Sequence, residues 1–257
     1  MNAVVPTVLC LSGHDPAGGA GVHADIEAIA AQGAHALTVI TALTVQDSRN
    51  VARVQAVDAT LFAEQIERLL ADSDIRAIKL GLLGDIAQIA VIAATIRRLR
   101  VPVVCDPVLR AGGGSDLAAT ATIAALREQL FPLVDLLTPN AAEARRLAPD
   151  AADPAAAAAT LWAAGCRQVL VTGGDEPGDE VCNLWRRDDG SLREFRWPRL
   201  AAAFHGAGCT LASAIAGRLA VGDDWPQAIE QAQRYTHTAL ARAYRSGRGR
   251  LIPGRRA

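Results

Sequence analysis

Short, β-rich apolar runs alternate with longer stretches of helical period along most of this chain, and that rhythm leaves few folds open to it. Residues 4–11, 36–40, 77–80, 101–105, 133–137 and 168–171 read as strands. Between them, 21–31, 61–71, 86–99, 118–130, 141–147 and 155–164 read as helices. Strand–helix–strand repetition requires parallel strands joined by crossovers, with helices covering both faces of the sheet. Residues 180–185 and 192–197, joined across Asp188-Asp189-Gly190, predict an antiparallel hairpin on one edge. Two further helices, from Cys209 and from Pro226, close the pattern. The expectation is one α/β domain over residues 1–257, a three-layer fold around a mostly parallel sheet. Only 4% of the residues are aromatic against 51% apolar, so Ala, Val, Leu and Ile must build the core.

Charge and cysteine usage exclude several functions. A net charge of −1 gives no electrostatic reason to bind nucleic acid or an anionic membrane. No uncharged apolar run reaches membrane-spanning length, and residues 1–12 lack the pattern of a signal peptide. Five scattered cysteines without a Cys-x-x-Cys pair argue against a disulfide framework or structural zinc and for a reducing, cytoplasmic setting. The arginines at 242, 245, 248, 250, 255 and 256 read as a solvated, locally basic tail.

In doubly wound sheets ligands bind beyond the carboxyl ends of the strands, and four segments there carry chemistry. Ser12-Gly13-His14-Asp15-Pro16-Ala17-Gly18-Gly19-Ala20-Gly21-Val22-His23-Ala24-Asp25 is glycine-rich with two carboxylates, yet holds neither a P-loop nor Gly-x-Gly-x-x-Gly. Cys105-Asp106-Pro107-Val108 ends an apolar strand on a carboxylate. In Thr138-Pro139-Asn140-Ala141-Ala142-Glu143, Asn140 can cap a helix with Glu143 in its first turn. Asp106 and Glu143 together offer two hard oxygen ligands suited to Mg²⁺. The fourth segment, His205-Gly206-Ala207-Gly208-Cys209-Thr210, starts a helix on glycines. Free N–H groups and the helix dipole make an anion site there, and the helix start should lower the Cys209 thiol pKa.

In this order and at these spacings, the segments resemble the ribokinase-like superfamily, and most of all its hydroxymethylpyrimidine/phosphomethylpyrimidine kinases of thiamine biosynthesis. Val39-Ile40-Thr41-Ala42-Leu43-Thr44-Val45-Gln46 and Lys79-Leu80-Gly81-Leu82-Leu83 extend the similarity, which covers about residues 7–240. The resemblance implies a ribokinase-like fold, a homodimer, and ATP- and Mg²⁺-dependent phosphorylation of 4-amino-5-hydroxymethyl-2-methylpyrimidine and then of its monophosphate. It implies that Asp25, Gln46, Gly13, Asp15, Gly21 and Leu82 surround the pyrimidine. Asp106, Asn140, Glu143, Thr172, Gly174 and Ala207 would surround the ATP phosphates, with Asp106 and Glu143 near Mg²⁺. Gly206, Gly208 and Cys209 would form the catalytic anion hole, with the cysteine as base.

The chain departs from the family pattern at several places. His14, Ala17, His23, Leu82 and Ala207 replace the usual Ser or Thr, Ser, Gln, Met and Thr. Thr172-Gly173-Gly174-Asp175 stands where the family generally has Lys-Gly-Gly-His, so a phosphate-binding lysine is lost. Arg248 or Arg250 could restore that charge. A pyridoxal or pyridoxine kinase and a catalytically silent pyrimidine-binding paralogue remain the alternative readings.

Overall fold

A computed structural model of the protein describes residues 4–109, 117 and 120–256. Among the described residues, nine strands form one sheet in the order β3-β2-β1-β4-β5-β6-β7-β8-β9. They are β1 (Thr7–His14), β2 (His35–Gln46), β3 (Val51–Ala56), β4 (Ile75–Leu80), β5 (Val103–Cys105), β6 (Leu136–Leu137), β7 (Gln168–Val171), β8 (Glu180–Arg186) and β9 (Leu192–Pro198). The run from β2 to β7 is parallel, while β3, β8 and β9 are antiparallel additions at the two edges. The α-helices among the described residues are α1 (Gly21–Ala31), α2 (Ala59–Asp72), α3 (Ile86–Leu99), α4 (Thr120–Ala125), α5 (Ala141–Leu147), α6 (Pro154–Ala163), α7 (Ala207–Ala220) and α8 (Trp225–Ala241).

Alternation along the strands divides the core in two. Leu9, Leu11, Ile78, Leu80, Leu137 and Val169 pack with Phe62, Ile92, Phe131 and Leu161 on the α2–α6 side. Their neighbours Val8, Cys10, Ala77, Leu136 and Leu170 pack with Ile29, Ile215, Ile229 and Trp185 on the α1, α7 and α8 side. Both faces of the central strands are therefore covered, as the βα rhythm requires.

Several predicted elements need correction. β1 begins and ends three residues later than expected, because Ser12 and His14 continue to pair with β2. β2 runs on to Gln46 and folds back as β3, which the sequence reading missed; Val51–Ala56 alternates around Arg53 and Gln55, with too few apolar residues to stand out. Pro102 delays β5, and β6 shrinks to two residues behind a 3₁₀ turn at Phe131–Leu133. The predicted helix 118–130 is α4 followed by a π-helical turn, Leu126–Leu130; residues 118 and 119 lie outside the described residues.

The topology positions the site. The chain leaves β1 toward β2 on one side, and β4 then joins β1 on the other, so order reverses between β1 and β4. A crevice is expected at the carboxyl ends there.

Candidate active site

A cleft of about 890 Å³ opens at that reversal point, within the size range of small-ligand sites. Among the predicted residues, Gly13, Asp15, Gly21, Gln46, Leu82, Asp106, Asn140, Glu143, Thr172, Gly174, Gly206, Ala207, Gly208 and Cys209 line it. Asp25 does not.

Asp25 requires a correction, since it is fully buried and one carboxylate oxygen is already engaged, while Oδ2 is buried without a hydrogen-bond partner. Lys79 Nζ lies 2.8 Å from Asp25 Oδ1, and the Ser213 hydroxyl donates to the same oxygen at 2.6 Å. It is Lys79, on β4, that reaches the cleft wall, with a further hydrogen bond to Ser12 Oγ at 3.0 Å. Burial disfavours charge on Lys79, but Asp25, Cys209 and Asp106 outweigh it and hold the ammonium pKa above its ordinary value. The motif match around Lys79 was visible in the sequence; its buried ion pair was not.

Local chemistry explains why the cleft is open to anions. Asp58, Asp85, Asn140, Asp153 and Asp224 cap the N-termini of α2, α3, α5, α6 and α8 with their side chains. The N-termini of α1 and α7 have no side-chain cap, and both face the cleft. Gly206 enters α7 at φ +85°, and a Cβ there would collide with the Gly19 carbonyl. At Gly208 a Cβ would lie 3.7 Å from Asp106 Oδ2, so the start of α7 looks directly at that carboxylate.

Two loops meet at this point. Asp15 accepts hydrogen bonds from the N–H groups of Ala17, Gly19 and Ala20, and its Oδ2 lies 2.7 Å from His205 Nε2. Burial opposes ionisation of Asp15, but His205 and the backbone donors prevail and lower its pKa. Asp15 thus shapes the glycine loop rather than presenting a free carboxylate. His205 was quoted in the motif without a role, and the structure supplies one. Leu82 packs its side chain against Gly13 and accepts the Thr41 hydroxyl at its carbonyl.

The expected low pKa of Cys209 is also corrected. Burial and the neighbouring Asp106 carboxylate raise it well above the usual thiol value, against a smaller opposing pull from Lys79. The Asp106 carboxylate and the Gly21 backbone are the thiol's near neighbours. The dipole argument failed because the side chain is only 8% exposed and sits beside a negative group.

On the opposite wall, Asn140 and Glu143 form a reciprocal capping box, so their structural role is real. Glu143 also accepts from the Leu109 N–H at 3.0 Å. Burial and Asp106 push the Glu143 carboxyl up to about 8. Asp175, in place of the family's histidine, accepts from the N–H groups of Ala141 and Ala142. Among the described cleft residues, the neutral Thr172 stands at the position of the family's lysine. Arg199 instead donates to five carbonyls, those of Gly173, Gly174, Glu176, Gly178 and Glu180, and so holds this loop from beneath. Arg250 also lines the cleft, whereas Arg248 lies in the adjoining hollow. Arg255 is not part of a solvated tail: it is 1% exposed and bonded to α7.

At the far end, Trp197 and His237 stack with ring centroids 5.3 Å apart. Beside them Gln233 Nε2 and Thr236 Oγ1 are buried without a hydrogen-bond partner. Unsatisfied polar atoms on a cleft wall mark a place where a ligand completes the bonding.

Comparisons with known proteins identify the family. The family model described as phosphomethylpyrimidine kinase matches residues 15–253. A hydroxymethylpyrimidine/phosphomethylpyrimidine kinase of Mycobacterium tuberculosis is 42% identical over 252 residues, covering 95% of this chain and 91% of that protein. The thiamine biosynthesis bifunctional protein ThiED of Geobacter sulfurreducens is 39% identical, with 95% of this chain matching 51% of its length. Among solved structures, the ADP complex of Bacillus subtilis pyridoxal kinase superposes with a TM-score of 0.89 at 26% identity, covering 97% of both chains. With the glycine loop, the uncapped start of α7 and the Asp106–Glu143 pair in one cleft, the chain belongs to the phosphomethylpyrimidine kinase family, the ribokinase-like kinases of thiamine biosynthesis.

Proposed function

We propose that the protein transfers the γ-phosphoryl group of ATP to the hydroxymethyl of 4-amino-5-hydroxymethyl-2-methylpyrimidine, and then phosphorylates the monophosphate. One observation carries this reading: the uncapped start of α7 faces Asp106 inside the cleft that also contains Gln46. Phosphoryl transfer asks chiefly for positioning and for stabilisation of charge. The N–H groups of Gly208 and Cys209 serve the developing charge there, each such donor being worth roughly 3 kcal/mol. Gln46, with both donor and acceptor, matches the edge of an aminopyrimidine. The unpaired atoms of Gln233 and Thr236, beside the Trp197–His237 stack, suit the nucleobase of ATP.

Asp106 and Glu143 fit Mg²⁺ as a shared site rather than a closed cage. Among the described residues no group of three or more metal-ligating side chains exists, and Mg²⁺ commonly takes one or two carboxylates with water and phosphate. Burial raises the pKa of both carboxyls, with Asp25 adding to the effect on Asp106 and Asp106 to that on Glu143. Bound there, Mg²⁺ would neutralise charge on the phosphate oxygens. Cys209 accepts the hydroxyl proton as its own thiol proton passes to the neighbouring Asp106 carboxylate, and not as a preformed thiolate.

Loss of the family's lysine at Thr172 weighs most on the second phosphorylation, whose acceptor already carries a phosphate. The family resemblance further supports a homodimer in the cytoplasm; no helix among the described residues is long and apolar enough to cross a membrane.

The decisive experiment is product analysis by mass with Mg-ATP, offering the free pyrimidine, its monophosphate and pyridoxal separately. Phosphorylated pyrimidine with little pyridoxal phosphate is expected. Preference for pyridoxal would replace the substrate assignment, and no product from any ring would identify a silent paralogue. In the same assay Cys209→Ala should lower kcat by about 10²-fold or more; undiminished turnover would remove Cys209 from the proton's path.

A further inference from the structure

The family match ends at Pro253, and two residues beyond it lies one of the most buried side chains in the protein. Arg255 is 1% exposed. Removing a guanidinium from water is costly unless every donor finds a partner, and here the partners come from three separate places. Nε donates to Thr210 Oγ1, in the first turn of α7, at 2.8 Å. One terminal nitrogen donates to the carbonyl of Gly19, in the glycine loop. The other lies 3.3 Å from Glu27 on α1.

The contacts converge on the anion-binding turn. Thr210 Oγ1 passes the link on by donating to the Gly206 carbonyl at 2.7 Å. A Cβ at Gly206 would stand 2.8 Å from the Arg255 guanidinium and would also strike Gly19. Arg255, Gly19 and Gly206 are thus packed against one another with no room for a methyl group. Anchoring the segment after α8 would need only Glu27 and the hydrogen bond from Tyr235 Oη to the Arg255 carbonyl. Reaching Thr210 and Gly19 adds nothing to that anchor, but it clamps together the two loops that flank the transfer site. The first clamp is Asp15–His205; Arg255 is the second, from behind.

We propose that Arg255 is a positioning residue for phosphoryl transfer: its guanidinium joins the Gly206–Thr210 turn to the Gly19 carbonyl and aims the N–H groups of Gly208 and Cys209. It is not among the residues that line the cleft. Planar, forked donors are required because two acceptors on different elements must be met at once, which a lysine ammonium does poorly. The inference rests on placing the transferred phosphoryl at the start of α7.

The test uses the full chain and separates positioning from anchoring. Arg255→Ala should lower kcat for the free pyrimidine by roughly 10- to 100-fold, as displaced catalytic groups commonly do. The KM values for ATP and pyrimidine should stay within about threefold, because the loss falls on the transition state. Guanidinium chloride at low millimolar concentration and fixed ionic strength should restore part of kcat, where sodium chloride does not. Arg255→Lys should recover little, and Glu27→Gln should leave kcat unchanged. Wild-type kcat in Arg255→Ala overturns the inference. So does a loss that guanidinium cannot restore and that follows the folded fraction measured by circular dichroism. If Arg255→Ala does not fold, Arg255→Lys and Thr210→Val decide, and wild-type kcat in both overturns it. Gly208→Ala, run in parallel, tests the underlying placement: its methyl fits beside Asp106 but intrudes on the phosphoryl position. Full activity there would refute the anion-hole reading itself, whereas a crippled Gly208→Ala beside a normal Arg255→Ala would refute only the role of Arg255.

Discussion

Asp15 and Glu143 face the same cleft from opposite walls, both buried, and their pKa values move in opposite directions. Asp15 receives three backbone N–H groups and His205. Glu143 receives two N–H groups and faces Asp106 and Asp175. The first wall is held mainly by internal partners, with Lys79–Asp25 and Arg255–Thr210 as further examples, although Asp25 Oδ2 stays buried without a partner. The second wall has surplus negative charge, which an added cation and phosphates can organise. Burial alone therefore does not decide a carboxylate's behaviour; its neighbours do. One wall is built before substrates arrive, and the other is finished by them.

The largest test of this contrast is Lys79→Met. It leaves Asp25 charged in the core without its partner, and breaking a buried pair typically costs about 3–5 kcal/mol. Urea denaturation should show that loss, and the double variant Lys79→Met/Asp25→Leu should recover a large part of it. A single variant as stable as wild type would mean that the first wall does not depend on its ion pair.

Asp15→Asn is the intermediate case. It weakens the Asp15–His205 clamp and should destabilise the protein by about 1–3 kcal/mol at pH 7, the usual cost of losing charge-assisted bonds. Because the folded pKa of Asp15 is lowered, its stabilising contribution is present above the unfolded value near 4 and is lost as pH falls through the folded value. The stability difference between wild type and variant should accordingly shrink in acid. A difference that is independent of pH would show that Asp15 acts through shape alone.

The smallest effect has the opposite sign. Glu143→Gln, measured without nucleotide or Mg²⁺, should stabilise the protein by about 1 kcal/mol at neutral pH, because wild type must take up a proton at Glu143 on folding and the Gln variant need not. With a raised folded pKa, the wild-type contribution is full below about 4.5 and is lost as pH rises to about 8. Thermal melts across pH 5–8 should fall less steeply for the Gln variant, while its kcat drops. Equal slopes would place Glu143 with the first wall after all.

How much of this was legible in the sequence follows from the physics of each part. Local patterns carried the fold: α1, α3, α5 and β7 lie where periodicity and caps put them. The edge strand β3 was hidden because its Val-Ala-Arg-Val-Gln-Ala run has little apolar contrast and gains its form only from pairing with β2. Glycines and carboxylates pointed to the cleft because loops there need special backbone and charge. What could not be read was pairing across long separations. Asp25 looks like a substrate ligand until Lys79 is placed beside it, and Cys209 looks acidic until Asp106 is. Arg255, within a run of arginines, has the composition of a solvated tail, and only the folded chain shows its partners.

The bond from Arg255 to Gly19 spans 236 positions in sequence. During protein synthesis the β1–α1 loop leaves the ribosome early, and the sheet can pair strand by strand as the chain lengthens. The partner that locks this loop against α7 emerges only after α8. If Arg255 works as inferred, a nascent chain would hold folded layers well before it could turn over ATP, so competence would arrive as a late step of folding and the unfinished enzyme would stay silent.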